Sequence, residues 1–328
     1  MLSDSDFRPT ASLEMLARRG ELLKKLRAFF DERGFLEVET PLLSHDTVVD
    51  RHIDPVGVVL PEDPRQPARG RAMWLQTSPE FAMKRLLAAG AGPIYQVTKS
   101  FRGAESGQRH NPEFTIVEWY RPADDLAAGM QLLSDLAEAL LARGEAQRLT
   151  FQMAFRFFAG VDPFHDSIAE LRAAAERAGV VPGVPPAESD RDAWLDLLLV
   201  TRVEPNLGVG VPTILHDYPP SQAALARVRP GELPVAERFE LYIDGIELAN
   251  GYHELLDPAI LRERNRKNNS LRAADGKPTL PEESRLLAAM DAGLPACSGV
   301  ALGFDRLVMA ATGAKSIDDV IAFPLERA

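Results

Sequence analysis

Residues 110–120 read HNPEFTIVEWY, and the stretch has the alternation that is typical of a β-strand. A strand here places Phe114, Ile116, Glu118 and Tyr120 on one face. An unpaired carboxylate among large apolar side chains either destabilises the fold by several kcal/mol or takes up a proton. Glu118 therefore predicts that this face meets either water or a cation.

Strands and helices follow one another in mixed order around this stretch. Apolar residues at helical spacing predict a helix over 10–33, with Ser12 as its start and Gly34 as its stop. Other patterns predict a short strand at 35–41, a strand, turn and helix over 74–90, and strands at 93–102 and 112–120. We expect the last two strands to form an antiparallel pair around a polar loop.

Residues 124–200 are rich in Ala and Leu and predict helices. The predicted helices cover residues 126–144, 168–179 and 190–200, and two more follow, one after Leu280 and one from Asp305. A loop rich in Pro and Gly is expected at about 182–186. We interpret 124–200 as a helical insertion in a single domain that spans residues 1–328.

The composition indicates a globular protein of a reducing compartment. The chain has 328 residues, 45% of them hydrophobic, which is enough for a large core. Its 37 basic and 48 acidic residues give a net charge of −11, which disfavours broad nonspecific binding to nucleic acid or anionic membranes. Cys297 is the only cysteine, the histidines lack zinc-ligand spacing, and the N-terminus lacks a signal-peptide pattern, so we expect a cytoplasmic protein without a zinc site.

Residues 238–252 predict a β-hairpin that turns at Asp-Gly, residues 244 and 245. In that register Tyr242 lies opposite Glu247, so Glu240 and Glu247 share a face at roughly 7 to 8 Å or less. Two carboxylates this close suit a hard divalent cation such as Mg²⁺, which completes its shell with water and phosphate oxygens. The alternative is a solvated strand face with two ordinary glutamates.

Asn250 follows the two glutamates on the second strand of this hairpin. Strict alternation places its side chain on the opposite face of the sheet. A bulge near Ala249 and Gly251 would be needed to turn Asn250 toward the carboxylates.

Two further signals are weak when each is taken alone. SGVALG, residues 298–303, could bring backbone amides near a phosphate, but such glycine spacing also occurs in simple close packing. Arg102 and Arg306 could bind phosphate or form surface ion pairs. The chain has no Walker loop, GxSxG or dinucleotide fingerprint, which disfavours those enzyme classes.

Taken together and in order, four segments resemble the signature motifs and intervening hairpin of class II lysyl-tRNA synthetases. They are FLEVETP (35–41), FR with RHNPEFTIVEWY (101–120), ERFELYIDGIELANGYHEL (237–255) and SGVALGFDRLVM (298–309). The resemblance implies an α+β catalytic fold, an antiparallel β-sheet flanked by helices, and a homodimer formed through the first motif. The pattern of strands and helices is compatible with that fold but could not have specified it.

The resemblance also implies how ATP is bound. Arg102 would contact the α-phosphate and Arg306 the γ-phosphate as the catalytic residues, Phe114 would stack on the adenine, and Glu240 and Glu247 would bind Mg²⁺. The other residues implied in ATP binding are Gly103, Ala104, Glu105, His110, Asn111, Glu247, Leu248 and Gly303.

The amino-acid pocket implied by the resemblance answers the question that Glu118 raises. Its residues are Ser78, Pro79, Glu80, Glu118, Tyr120, Asn250, Glu254 and Ala301. Three glutamates, a phenol and an amide suit a substrate with two ammonium groups and one carboxylate, so a lysine-like amino acid is expected.

Three departures from the synthetase pattern stand out. The chain opens almost directly on the first motif, and we expect no anticodon-binding domain. Ala104 stands where a glutamate would reach adenine, so Glu105 must replace it if any residue does. Ala301 stands where the synthetases have glycine, and one methyl group can shift preference between close substrates by about 1–3 kcal/mol.

A catalytic domain with these features is similar to paralogues that activate β-lysine as an adenylate and attach it to a lysine of elongation factor P. We therefore expect ATP and Mg²⁺ as cofactors, (R)-β-lysine as substrate, elongation factor P as acceptor, and no aminoacylation of tRNA. The basic run Arg262, Arg264, Arg266 and Lys267, with Arg109, could steer an acidic acceptor or form a solvated helix face. Two alternatives are a domain that activates α-lysine for another acceptor and a regulatory paralogue that binds an amino acid without catalysis.

Overall fold

The computed structural model describes residues 7–180 and 186–328. All but the last residue of the loop expected at about 182–186 lie outside the described residues. Within the described ranges, no helix is both long enough and apolar enough to cross a membrane.

The helices and strands follow in chain order. The helices are α1 (Leu13–Asp31), α2 (Glu80–Ala88), α3 (Leu126–Leu141), α4 (Phe151–Ala154), α5 (Ile168–Arg177), α6 (Arg191–Leu198), α7 (Pro258–Ala274), α8 (Arg285–Gly293) and α9 (Phe304–Thr312). The strands are β1 (Leu36–Glu37), β2 (Leu43–Ser44), β3 (Gly57–Pro61), β4 (Gly70–Leu75), β5 (Ile94–Phe101), β6 (Glu113–Pro122), β7 (Gln147–Thr150), β8 (Thr213–Tyr218), β9 (Val228–Arg229), β10 (Val235–Ile243), β11 (Ile246–His253) and β12 (Cys297–Gly303). Short π-helical turns lie at Phe155–Ala159 and Leu199–Val203, and 3₁₀ turns at Glu204–Asn206, Pro220–Gln222, Ile317–Asp319 and Leu325–Arg327.

The described chain divides into two compact units. The first takes the residues up to Ala123, then Leu255–Cys297 and Ala301–Ala328, and the second takes Asp124–Glu254 and Ser298–Val300. Strand β12 therefore supplies residues to both units.

In the first unit, α1 begins as predicted, because the Ser12 hydroxyl accepts a hydrogen bond from the Met15 amide. The predicted stop is also present, since Gly34 has a φ of 73°, in the left-handed region. The buried face of α1 includes Phe30, whose ring stacks on Tyr95 of β5 with 4.5 Å between centroids. The helix thereby packs against the strand that ends directly before Arg102.

The antiparallel pair of β5 and β6 is confirmed, and with it the face predicted for Glu118. Glu118 lies opposite Gln96, and Ile116 opposite Thr98. Helices α2 and α9 pack against β6. The strand predicted at 35–41 is wrong in length, because only Leu36 and Glu37 pair with β5 and they do so in parallel.

In the second unit, the strands lie in the order β11, β10, β8, β7, with β9 also beside β10. All of these pairs are antiparallel except β7 with β8. The region 124–200 was interpreted as a helical insertion, and it also contains strand β7 (Gln147–Thr150), which lies between two of the predicted helices and was not predicted. Its four residues are too few to display an alternating pattern, and their pairing with β8 depends on residues more than 60 positions away.

The hairpin of β10 and β11 has the predicted turn and one bulge. Asp244 and Gly245 have φ values of 49° and 72°, as a type I′ turn requires. Tyr242 lies opposite Glu247 as predicted, but Leu241 lies opposite Ala249, so Leu248 is an extra residue on β11. This bulge comes just before the predicted position, and it brings Asn250 directly opposite Glu240.

Gly251 allows β11 to lie close against β10 and β12 next to this bulge. A Cβ at Gly251 would come within 2.4 Å of the Phe239 ring and 2.9 Å of Val300. We therefore expect Gly251→Ala to lower the free energy of unfolding by about 1–3 kcal/mol in a denaturant titration. Gly20→Ala is the control, because no atom lies within 4 Å of its added Cβ, and alanine should stabilise α1 slightly. Equal effects of the two variants would contradict the packing argument.

Candidate functional site

The first unit gathers predicted phosphate-binding residues around His110. The Arg306 Nη2 lies 2.5 Å from His110 Nε2. Burial, and next the positive charge of Arg306, lowers the pKa of His110, with further lowering by Arg102 and Arg109 and an opposing effect of Glu105. His110 is thus a neutral acceptor for Arg306 near neutral pH. The converging guanidinium groups give this end of the unit the charge that a polyphosphate requires.

Arg102 belongs to this cluster and also contacts Phe114 and Glu105. Its guanidinium lies 5.1 Å from the centroid of the Phe114 ring, and its Nη1 lies 3.8 Å from a Glu105 oxygen. Ala104 between them has a φ of 63°, in the left-handed region. The structure therefore places Glu105 beside Arg102, and its role as a substitute for the synthetase glutamate stays a prediction.

The side-chain amide of Asn111, which was predicted to bind ATP, forms two hydrogen bonds within the protein. Its side-chain Nδ2 donates to the Glu113 carbonyl at 2.6 Å, and its Oδ1 accepts from the Leu325 amide at 3.0 Å. A contact of Asn111 with adenosine would have to use the second hydrogen of its amide group.

Glu118 is buried, with 1% of its surface exposed, so its face does not meet water. One carboxylate oxygen accepts a hydrogen bond from the Ser78 hydroxyl, and the other accepts from Tyr120 at 3.1 Å. Burial and the nearby charge of Glu80 raise the pKa of Glu118 to about 8, although both hydroxyls and Lys84 oppose the shift. Among residues 7–180 and 186–328, no side-chain cation lies within 4.0 Å of this carboxylate.

Lys84 belongs to the same group of side chains and was not predicted from the sequence as a site residue. Its Nζ lies 2.6 Å from Glu80 Oε1 and 5.8 Å from the centroid of the Tyr120 ring. The side chain is only 2% exposed. A Glu–Lys pair four residues apart usually lies on a solvated helix face. In this sequence, the only signal against that interpretation is that the pair begins in the Ser-Pro-Glu turn.

That turn also connects the pocket to the phosphate-binding cluster. Pro79 lies just before α2, and the Glu80 amide donates to the Ser78 hydroxyl at 3.1 Å. The preceding carbonyl, of Thr77, accepts from Arg102 Nε at 3.4 Å. The predicted amino-acid end and phosphate end of the first unit are therefore adjacent.

In the second unit, Glu240, Glu247 and Asn250 share one face of the hairpin. Glu240 is buried, and its Oε2 accepts from the hydroxyls of Tyr218 at 2.5 Å and Tyr242 at 2.6 Å. Burial and the charge of Glu240 raise the pKa of the Tyr218 and Tyr242 hydroxyls well above the usual value for tyrosine. Both hydroxyls therefore keep their protons and remain hydrogen-bond donors.

Whether this face of the hairpin fits Mg²⁺ depends on how many lone-pair sites of the Glu240 carboxylate are occupied by protein donors. The Glu240 Oε1 accepts from Arg238 Nη2 at 2.5 Å, so three donors occupy three of about four lone-pair sites on the carboxylate. One site of Glu240 is not used by these donors, Glu247 is half-exposed on the same face, and Mg²⁺ needs no more than one or two protein carboxylates. No cluster of three or more His, Cys, Asp or Glu in the described part of the chain could hold a metal ion, so phosphate and water would have to complete the shell.

The other predicted site residues of the second unit are Asn250, Leu248 and Glu254. The Asn250 Nδ2 donates to the Tyr252 hydroxyl at 3.1 Å, while its buried Oδ1 has no hydrogen-bond partner among the described residues. Such an acceptor suits an ammonium or amide donor from a ligand. Leu248, at the bulge, is 2% exposed and Glu254 is 1% exposed.

Strand β12 carries two more predicted residues, and α7 carries the basic run. Ala301 and Gly303 are both half-buried, and Gly303 lies just before α9 and therefore close in sequence to Arg306. Arg262 is paired with Glu283 at 3.0 Å and Asp291 at 2.7 Å. These acids neutralise Arg262, which weakens the basic surface expected for steering an acceptor.

The chain is similar to known proteins over almost its full length. The family described as class II tRNA synthetases (D, K and N) matches residues 5–327. A curated relative from Vibrio vulnificus (strain YJ016), named elongation factor P–(R)-beta-lysine ligase, is 47% identical over 320 residues, which are 98% of this chain and 98% of the relative. Relatives of the same name are 47% identical in Vibrio cholerae serotype O1 and 44% identical in Klebsiella pneumoniae subsp. pneumoniae, each over 100% of both chains.

The raised pKa of Glu118 predicts how pH affects the binding of a cationic amino acid. Below about pH 8 the carboxyl group is mostly protonated, and it must lose that proton to meet an ammonium group. The KM for the amino acid should therefore fall as pH rises from about 6.5 to about 8.5, by up to about tenfold per unit below the pKa. Pyrophosphate exchange measured across this range tests it. Glu118→Gln should raise the KM and remove its pH dependence, and an unchanged profile in that variant would contradict the assignment.

Proposed function

The chain belongs to the class II tRNA synthetases of the D, K and N type, and from that premise we propose that it activates (R)-β-lysine with ATP and attaches it to elongation factor P. Membership of this family confirms the resemblance and the α+β fold class predicted from the sequence. In this function the chain is an ATP-dependent ligase, like the relatives that carry that name.

The buried carboxyl of Glu118 is the observation that carries the proposal. It has two hydroxyl partners and no side-chain cation within 4.0 Å among the described residues, and it lies in the same unit as the cluster of Arg102 and Arg306. A site that combines an acceptor for an amine with cations for a polyphosphate suits the activation of a basic amino acid.

The reaction takes place in two steps. The carboxylate of β-lysine attacks the α-phosphorus of ATP, forming the aminoacyl-adenylate and releasing pyrophosphate. The ε-amine of the acceptor lysine then attacks the adenylate carbonyl, an amide forms, and AMP and a proton leave. Arg102 and Arg306 neutralise the phosphates, while Glu118 and Tyr120 orient the amine, so positioning supplies most of the catalysis.

We assign the binding of Mg²⁺ to Glu247 and to the remaining lone-pair site of Glu240. Mg²⁺, when bound, supplies positive charge to the phosphates. Glu247→Gln should raise the concentration of Mg²⁺ needed for half-maximal pyrophosphate exchange several-fold, because one carboxylate ligand is lost. Glu232→Gln, at an exposed position of the same unit, is the control and should leave that concentration unchanged. If the two variants have the same requirement, Glu247 does not bind the metal.

The acceptor is tested with labelled β-lysine and ATP. We expect acid-stable label on elongation factor P and none on total tRNA when the two are offered separately. Label found only on tRNA would refute the proposed acceptor. Exchange measured with a panel of α- and β-amino acids decides between β-lysine and the alternative α-lysine, and no exchange with any of them would favour a non-catalytic binding protein. The homodimer stays a prediction.

A further inference from the structure

Helix α7 carries a buried arginine that no step of the proposed reaction uses. The side chain of Arg272 is 2% exposed. Arginine is almost never buried to this extent unless its charge is paired and its donors are bonded. Because Arg272 belongs neither to the predicted ATP contacts nor to the predicted amino-acid pocket, its guanidinium group needs another explanation.

The partners of Arg272 are backbone carbonyls and one carboxylate. Its Nη1 lies 2.8 Å from the carbonyl oxygen of Asp50, 3.1 Å from that of Ile53 and 3.0 Å from Asp54 Oδ1. Its Nε donates to the carbonyl of Pro278 at 2.9 Å. One side chain therefore joins the end of α7 to three residues of the chain between β2 and β3.

These residues belong to the 49–54 segment, which forms neither a helix nor a strand. Its backbone groups must therefore find partners outside regular secondary structure. The carbonyl of Val49 accepts from Asn268 Nδ2 at 2.9 Å, and that of Arg51 accepts from Lys277 Nζ at 3.1 Å. Side chains of α7 and of the residues just after it thus hold this segment in one conformation.

Asp54 connects this segment to the loop that follows Arg102. Its carboxylate is held by Arg272 and, at 2.8 Å, by Lys277 Nζ. Its carbonyl accepts a hydrogen bond from the Gly103 amide at 2.7 Å. A Cβ at Gly103 would lie 3.2 Å from the same oxygen, so a larger residue would push the two backbones apart. Gly103 directly follows the residue that is predicted to contact the α-phosphate.

We propose that Arg272 is a positioning residue, which fixes the Asp54 carbonyl so that Gly103 and Arg102 are set for the α-phosphate before ATP binds. This inference rests on the proposed function and deepens it, since it names what orders the phosphate-binding end of the first unit. Order that exists in advance spares the enzyme the entropy of fixing the loop when ATP binds. Without Arg272, carbonyls of the 49–54 segment would turn toward water and Gly103 would lose a fixed partner.

Calorimetric titration with ATP and Mg²⁺, without amino acid, tests this proposal. Arg272→Met should raise the Kd of ATP about tenfold, because Arg102 is no longer held in place. The Kd of (R)-β-lysine should change by less than about twofold, because Arg102, and not the amino-acid pocket, lies at the end of this chain of contacts.

A second variant and a control keep the test independent of folding. The side chain of Lys277 is 32% exposed, so Lys277→Met disturbs the fold less and should raise the Kd of ATP about threefold. Arg285→Met is the control. Arg285, on α8, pairs with Asp46 at 3.1 Å and also joins a helix to the chain between β2 and β3, but it is 51% exposed. Its replacement should leave ATP binding and pyrophosphate exchange unchanged.

Amide hydrogen exchange, measured by mass spectrometry without any ligand, reports on the loop directly. Peptides that cover residues 49–54 and 103–110 should exchange faster in Arg272→Met than in the unmodified enzyme, because the contacts that protect them are lost. In Arg285→Met both peptides should exchange at the unmodified rate. An unchanged rate over 103–110 in Arg272→Met overturns the proposal.

A double variant shows whether Arg272 acts through Gly103. Gly103→Ala disturbs the last contact of the chain, so adding Arg272→Met to it should weaken ATP binding no further. If the two single effects instead multiply, Arg272 acts by another route and the proposal is overturned.

The remaining outcomes separate this inference from the proposed function. Unchanged ATP binding in both Arg272→Met and Lys277→Met overturns the role of Arg272, as does an equal loss of affinity for ATP and for β-lysine, which a general loss of structure would cause. If the unmodified enzyme neither binds β-lysine nor exchanges pyrophosphate with it, the proposed function fails, while ATP binding and hydrogen exchange still decide the role of Arg272.

Discussion

The placement of one carboxyl group in the protein interior constrains much of the first unit. Glu118 can be buried only because β5 and β6 hold it in register opposite Gln96, and because two hydroxyls reach its oxygens. Even so, the carboxylate form is disfavoured, and the group keeps a proton to about pH 8. A fold that retains such a group leaves part of its electrostatic stabilisation to be completed by a ligand, which is a common property of binding sites.

The buried carboxylate of the second unit, Glu240, differs from Glu118 in its hydrogen-bond donors. Glu240 accepts hydrogen bonds from Arg238 and from two tyrosine hydroxyls, so most of its lone-pair sites are occupied without any ligand. Glu118 thus suits the binding and release of a cation, whereas the side chain of Glu240 is held in place by protein donors. The two glutamates have the same chemistry, and their surroundings give them different roles.

The sequence was sufficient for features that depend on local pattern. Alternation placed Glu118 on its face, and Asp-Gly predicted the turn of the hairpin with the correct partner for Glu247. A bulge was predicted near Ala249 and Gly251, and its exact place at Leu248 depends on the pairing with β10, which the local sequence does not specify. Lys84 was missed for a related reason: its spacing from Glu80 is the same whether a helix face is solvated or buried. The contact of Asn111 with the Leu325 amide joins residues 214 positions apart, and no local pattern indicates it.

A single buried carboxylate joins two of the motifs to helix α1. Asp305, on α9, lies 2.6 Å from Arg19 of α1 and accepts the amide of Thr115 of β6 at 2.8 Å. Thr115 follows Phe114, and Asp305 precedes Arg306, so the interaction that packs the elements together also sets the backbone beside two predicted ATP contacts. Removal of one partner from a buried ion pair typically destabilises a protein by about 3–5 kcal/mol. The same interaction therefore maintains both the packing of the first unit and the geometry of its phosphate-binding end.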